Sequence, residues 1–152
     1  MDVPYFKIEN PVQLSLILAD DPKVIVFKLF INNGSMLSLY AFSGKSNYKS
    51  FRDGIMLRTY YTGTVPIENC FVGDLQLDKK DIVELMKIPG DNNIKTILLT
   101  PEVANFAPPN LKPVKSLTYI MTFLDVKGKP VNTILPIVIS KPNPCPPYNS
   151  AD

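Results

Sequence analysis

Val24-Ile-Val-Phe-Lys-Leu-Phe-Ile31, Asn32-Asn33-Gly34-Ser35 and Met36-Leu-Ser-Leu-Tyr-Ala-Phe-Ser43 form one continuous stretch whose reading decides the fold. Two runs rich in β-branched and aromatic residues flank Asn-Gly, the dipeptide best suited to the positive φ angles of a tight hairpin turn. With Asn33 and Gly34 as the two turn residues, Ile31 faces Met36, Leu29 faces Ser38, Phe27 faces Tyr40 and Ile25 faces Phe42. Both faces of this hairpin are apolar, with Lys28 the exception on the second face. Such a hairpin belongs in a sheet covered on both sides, or at an interface.

Outward from it, alternation or β-rich composition marks further strands at 12–18, 55–62, 67–77, 94–100, 117–126 and 131–139, beside 24–31 and 36–43. Gly73 predicts a bulge in its run, and Pro136 an edge position in the last. Residues 1–11, interrupted by Pro4 and Pro11, read as an extended arm. Asp20-Asp21-Pro22 reads as a turn. Lys127-Gly128-Lys129-Pro130 closes the last hairpin.

One helix is expected over 79–88. Asp78 is placed as its N-cap, Asp81 supports its first turn, and Ile82, Leu85 and Met86 form its buried stripe. Pro89-Gly90 stops it. About eight strands without regular helical crossovers predict a mainly β fold. The expected form is an antiparallel two-sheet β-sandwich, jelly-roll-like, in a single domain spanning 1–152. An elaborated oligonucleotide-binding β-barrel is the rival, since that fold also carries one helix in mid-chain.

The composition narrows the chemistry. The chain has 152 residues, 45% of them hydrophobic and 20% charged, with a net charge of +2. That is enough for one core and too little charge for a strong general field. It has no histidine, the commonest general base and metal ligand. Its two cysteines, Cys70 and Cys145, are too few for a disulfide framework or a zinc site, and each reads as a free thiol. No cofactor or metal is expected. MDVPYFKIEN lacks the features of a secretory leader, and no run reaches membrane-spanning length. An intracellular protein with no membrane association is expected. The formal glycosylation triplet Asn33-Gly34-Ser35 is then better explained by the turn.

Gly44-Lys45-Ser46 invites a phosphate-loop reading, but that motif needs glycine where Leu39 stands. What remains in this stretch is Lys45, Tyr48, Lys49, Phe51, Arg52 and, in the next strand, Arg58, Tyr60 and Tyr61. Cations interleaved with aromatics are a pattern for gripping single-stranded nucleic acid, and a solvated loop with Phe51 tucked inward is the plainer account.

The 15 prolines, about twice the usual share, cluster in 101–116 and in the tail from 140 to 152. The tail should form polyproline II, and Lys141, Pro144 and Pro147 have the spacing of a ligand for aromatic grooves. Proline cannot donate to a β ladder, so Pro142, Pro144, Pro146, Pro147 and Tyr148 are expected to dock on a protein surface. The function this predicts is non-enzymatic: a structural or interaction protein, a subunit of an assembly such as a capsid, coat or decoration protein. Its partners are other proteins or its own copies. A single-stranded nucleic-acid-binding module is the alternative.

Overall fold

A computed structural model describes residues 2–10, 12–32, 36–44, 53–67, 75–86, 94–106, 114–131, 137–138 and 148–149. Two sheets face each other, and neither closes into a barrel, so the fold is the two-sheet β-sandwich. The elements are β1 (Asp2–Glu9), α1 (Val12–Ile17), β2 (Val24–Asn32), β3 (Met36–Ser43), β4 (Ile55–Met56), β5 (Arg58–Pro66) and β6 (Leu75–Asp78). They continue with α2 (Lys79–Met86), β7 (Thr96–Phe106), β8 (Val114–Leu124), β9 (Ile137–Val138) and β10 (Tyr148–Asn149). Sheet A has the order β5-β1-β7-β8-β9. Sheet B has the order β10-β2-β3-β4, with β6 also paired to β2. All pairings are antiparallel except that of β10 with β2.

The central hairpin forms, but one residue out of the expected register. Asn32 pairs with Met36, Ile31 with Leu37, Leu29 with Leu39 and Phe27 with Ala41, leaving 33–35 as a three-residue connection. Because side chains alternate, a one-residue slip exchanges the faces. The observed register puts Ile25, Phe27 and Leu29 with Leu37, Leu39 and Ala41 on the face toward sheet A. It gathers Lys28, Ser38 and the Tyr40 hydroxyl on the other face, so Leu37, Leu39 and Ala41 rather than Ser38 and Tyr40 line the space between the sheets. The two-residue turn would have placed Ser38 and Tyr40 in that space, where burying polar atoms is unfavourable. The expectation of cover on both sides holds: Val26, Phe30, Tyr40 and Phe42 on the outer face are buried as a second cluster. Gly54 lies against it, where a Cβ would come within 2.6 Å of the Phe42 ring.

The supposed arm is a strand inside sheet A, with β5 on one side and β7 on the other. A register shift between Pro4 and Tyr5 breaks the alternation, so Val3, Phe6 and Ile8 all face inward and are buried. Opposite the shift, β5 carries three extra residues, 61–63, between its pairings of Tyr60 and Thr64. Gly63 there has φ +107°, a conformation that suits glycine.

The 12–18 run is a helix rather than a strand. Gln13, Leu14 and Ile17 are its buried residues, which is one helical face. Gln13 explains the choice. Its Oε1 accepts the Glu9 N–H at 3.0 Å and its Nε2 donates to the Met56 carbonyl at 3.4 Å, bonds that tie α1 to β1 and β4. The chain changes sheets at Leu57, between β4 in sheet B and β5 in sheet A, and Leu57 is buried at that corner.

The proline-rich stretch 101–116 is strand wherever it is described. β7 runs on to Phe106 and β8 begins at Val114, paired without interruption. Pro101 fits because β1 pairs β7 only over Thr96–Leu99, so β7 has a partner on one side alone there. β8 ends in a turn where Asp125 Oδ1 accepts the Lys127 and Lys129 N–H groups at 2.8 and 3.0 Å. These bonds hold the Asp125 carboxyl below its ordinary pKa. Gly128, at φ +81°, completes the turn.

α2 follows β6 directly, with Asp78 immediately before it and Ile82 fully buried. The tail does join a ladder: Tyr148 and Asn149 pair in parallel with Phe30 and Ile31. Proline's missing donor rules out its own position, not that of the non-proline residues beside it. Cys70, Gly73, Pro89, Gly90, Pro136, Cys145 and the Asn33–Ser35 turn lie outside the described residues. Among the described residues, no helix is long and apolar enough to cross a membrane.

Candidate functional site

Of the cationic and aromatic residues singled out in sequence, Lys45, Tyr48, Lys49, Phe51 and Arg52 lie outside the described residues. Arg58 is exposed at the start of β5. Its neighbours come from the segment that had read as an arm. Across the β1–β5 ladder, Lys7 stands opposite Arg58, and Tyr5 opposite Tyr60. Paired residues share a sheet face, and positions two apart on a strand do so too. The four side chains therefore form one patch on the outer face of sheet A. The Lys7 ammonium lies 5.9 Å from the Tyr60 ring centroid, within cation–π range. Glu9 Oε1, next along the same face, holds Lys7 Nζ at 2.9 Å. Glu9 Oε2 accepts from Thr96 Oγ1 at 3.4 Å.

The outer face of sheet A is not uniformly open. On β8 its residues Ser116, Thr118 and Leu124 are buried. On β1 and β5, Tyr5, Lys7 and Tyr60 are half-buried and Arg58 is exposed. Ile120 and Thr122 on β8 and Leu98 and Thr100 on β7 are half-buried as well. Tyr5 and Lys7 are more than fifty positions from Arg58 in sequence, so only strand pairing reveals the group.

A second surface lies around α1. Val12 is 65% exposed, Leu16 58% and Met56, on β4, 55%. Val12 and Leu16 are one helical turn apart and share a face. The Gln13 bond to Met56 holds β4 beside the helix. α1 has no charged residue at all, so it is apolar inward through Leu14 and Ile17 and apolar outward through Val12 and Leu16. A surface helix ordinarily turns charge to solvent. Beside Leu16, a small pocket of about 200 Å³ is lined by Ile17, Ala19, Ala41 and Ile55, with Asp20, Ser43 and Asp53 at its polar side.

A third feature is a cleft of about 640 Å³ between the start of β2 and the start of α2. Pro22, Val24 and Val83 line it, with Lys23, Lys79, Lys80 and Asp78. Lys79 Nζ is ion-paired with Asp21, which sits at φ +52° in the turn before β2. Opposite charges thus lie close around this cleft.

Inside the sandwich, the Tyr119 ring meets Phe6 edge-on at 5.9 Å between centroids. Its hydroxyl is buried, with no hydrogen-bond partner among the described residues. Burial pushes its pKa well above the ordinary tyrosine value. No group of three or more metal-ligating side chains occurs among the described residues. Of the expected tail interface, Pro142, Pro144, Pro146 and Pro147 lie outside the described residues, and Tyr148 begins β10. Set against protein-family models, curated proteins and solved structures, the chain matches none.

Proposed function

We propose that this protein is a non-enzymatic interaction protein, a subunit of a larger assembly in the manner of a capsid, coat or decoration protein. The observation that carries the reading is the outward face of α1. Val12 and Leu16 expose apolar side chains one turn apart on a helix without one charged residue, and Met56 is exposed on β4, which the Gln13 bond holds beside that helix. Contiguous exposed apolar surface is a mark of protein–protein contact. A further copy of the chain is the occupant that a self-assembling subunit requires. The absence of histidine from the sequence adds support, since it removes the commonest catalytic base.

Light scattering coupled to size exclusion tests the reading. The wild type should show a mass above that of the 17.0 kDa monomer, rising with concentration. Leu16→Asp combined with Met56→Asp should return it to the monomer while leaving the β-rich circular dichroism unchanged. A wild type that stays monomeric at the highest soluble concentration would defeat the self-assembly reading.

A further inference from the structure

We propose that the β1–β5 part of the outer face of sheet A binds single-stranded nucleic acid. Tyr5 and Tyr60 stack on bases, while Lys7 and Arg58 contact phosphates. The site is distinct from the α1 face and does not depend on it.

Three observations converge on it. The ladder sets two tyrosines directly opposite each other, and next to them two cations directly opposite each other. Two aromatic rings flanked by cations match the two repeating parts of an unpaired strand, base and phosphate. The patch is reachable from solvent, with Arg58 exposed and Tyr5, Lys7 and Tyr60 half-buried, whereas Ser116 and Thr118 on β8 are buried. The charge also fits an anion: Lys7 and Arg58 against Glu9 leave one net positive charge. Lys7 is already poised over the Tyr60 ring at 5.9 Å, with Glu9 holding it at 2.9 Å. Glu9 is therefore a built-in competitor for a phosphate, and its removal is a sensitive test. A duplex keeps its bases stacked on each other and cannot offer their faces to the tyrosines, so the unpaired strand is the ligand.

Fluorescence anisotropy of a labelled oligothymidylate, with the full chain as titrant, is the experiment. Two phosphate contacts on a single strand give a log–log salt slope of about −1.4. That corresponds to roughly sevenfold weaker binding on going from about 50 to 200 mM salt. Arg58→Gln should weaken binding at low salt and reduce the slope by about 0.7. Tyr60→Leu should weaken it about tenfold or more. Glu9→Gln should strengthen it several-fold, which a merely structural role for this ion pair would not do. Lys80→Gln on α2 serves as the distant control and should change nothing. If Tyr60→Leu fails to fold by circular dichroism, Arg58→Gln and Glu9→Gln still decide, because neither side chain is in the core. The proposal is overturned if no salt-sensitive binding occurs, or if a duplex of the same length binds equally well. It is equally overturned if Lys80→Gln weakens binding as much as Arg58→Gln, or if Glu9→Gln leaves the affinity unchanged.

Discussion

Tyr119 shows how much one atom matters. Its ring is a good core element, fully buried against Phe6, but its hydroxyl has no partner among the described residues. A buried hydroxyl without a hydrogen bond is destabilising, so Tyr119→Phe should leave the fold intact and raise its stability by about 1 kcal/mol at neutral pH. The pH dependence has a definite sign. Burial raises the folded-state pKa above the unfolded value of about 10. The unfolded chain then loses this proton first, and the folded state's advantage falls as pH rises above 10. Each such proton contributes about 1.4 kcal/mol per pH unit. Denaturant titrations at pH 9, 10 and 11 should show a shallower alkaline decline in Tyr119→Phe than in the wild type. Equal slopes would place the hydroxyl in contact with a partner or with water.

At the scale of the element, α1 is the instructive case. Val12, Leu14, Leu16 and Leu18 alternate as a strand would, and a strand would bury all of them on one face. The helix buries Gln13, Leu14 and Ile17 and exposes Val12 and Leu16. These alternatives predict opposite mutant behaviour. In the monomer, Leu16→Ala should change stability by no more than about 0.5 kcal/mol, as exposed substitutions do. Ile17→Ala should lower it by about 2–5 kcal/mol, through lost burial and the cavity left behind. Urea midpoints measured below the concentration of self-association would separate the two, and a reversed order would mean that the segment is extended. The β2–β3 hairpin makes the same point about register. Asn33-Gly34 signalled a hairpin at the correct place. The pairing is the register that keeps Ser38 and the Tyr40 hydroxyl out of the space between the sheets.

For the whole molecule, the ends of the chain decide which edges are covered. β1 lies within sheet A, and β10 pairs with the Phe30–Ile31 end of β2, past the point where β6 stops at Phe27. The edge of β2 is thus shared between two strands far apart in sequence. Deleting residues 141–152 would uncover unpaired backbone beside an apolar strand, a template for unwanted pairing. The truncated protein should lose about 1–2 kcal/mol, a fall in Tm of roughly 2–8 °C for a domain of this size. It should also aggregate sooner on heating. Differential scanning calorimetry beside light scattering would check both, and an unchanged Tm would mean that β10 adds nothing to the sheet.

Composition and local pattern determined a great deal by themselves. The mainly β class, the two-sided apolar hairpin, the helix beginning at Lys79 and the turn around Gly128 are all written in residues close together in sequence. Propensity, turn chemistry and periodicity act over such distances. Three things needed the tertiary structure. The register of β2 on β3 was decided by the opposing sheet, and the helicity of Val12–Ile17 by the bonds Gln13 makes to Glu9 and Met56. The group of Tyr5, Lys7, Arg58 and Tyr60 exists only because β1 pairs with β5. Each depends on contacts between residues distant along the chain, and a pattern read over a few neighbouring positions contains no information about which distant strand will lie alongside.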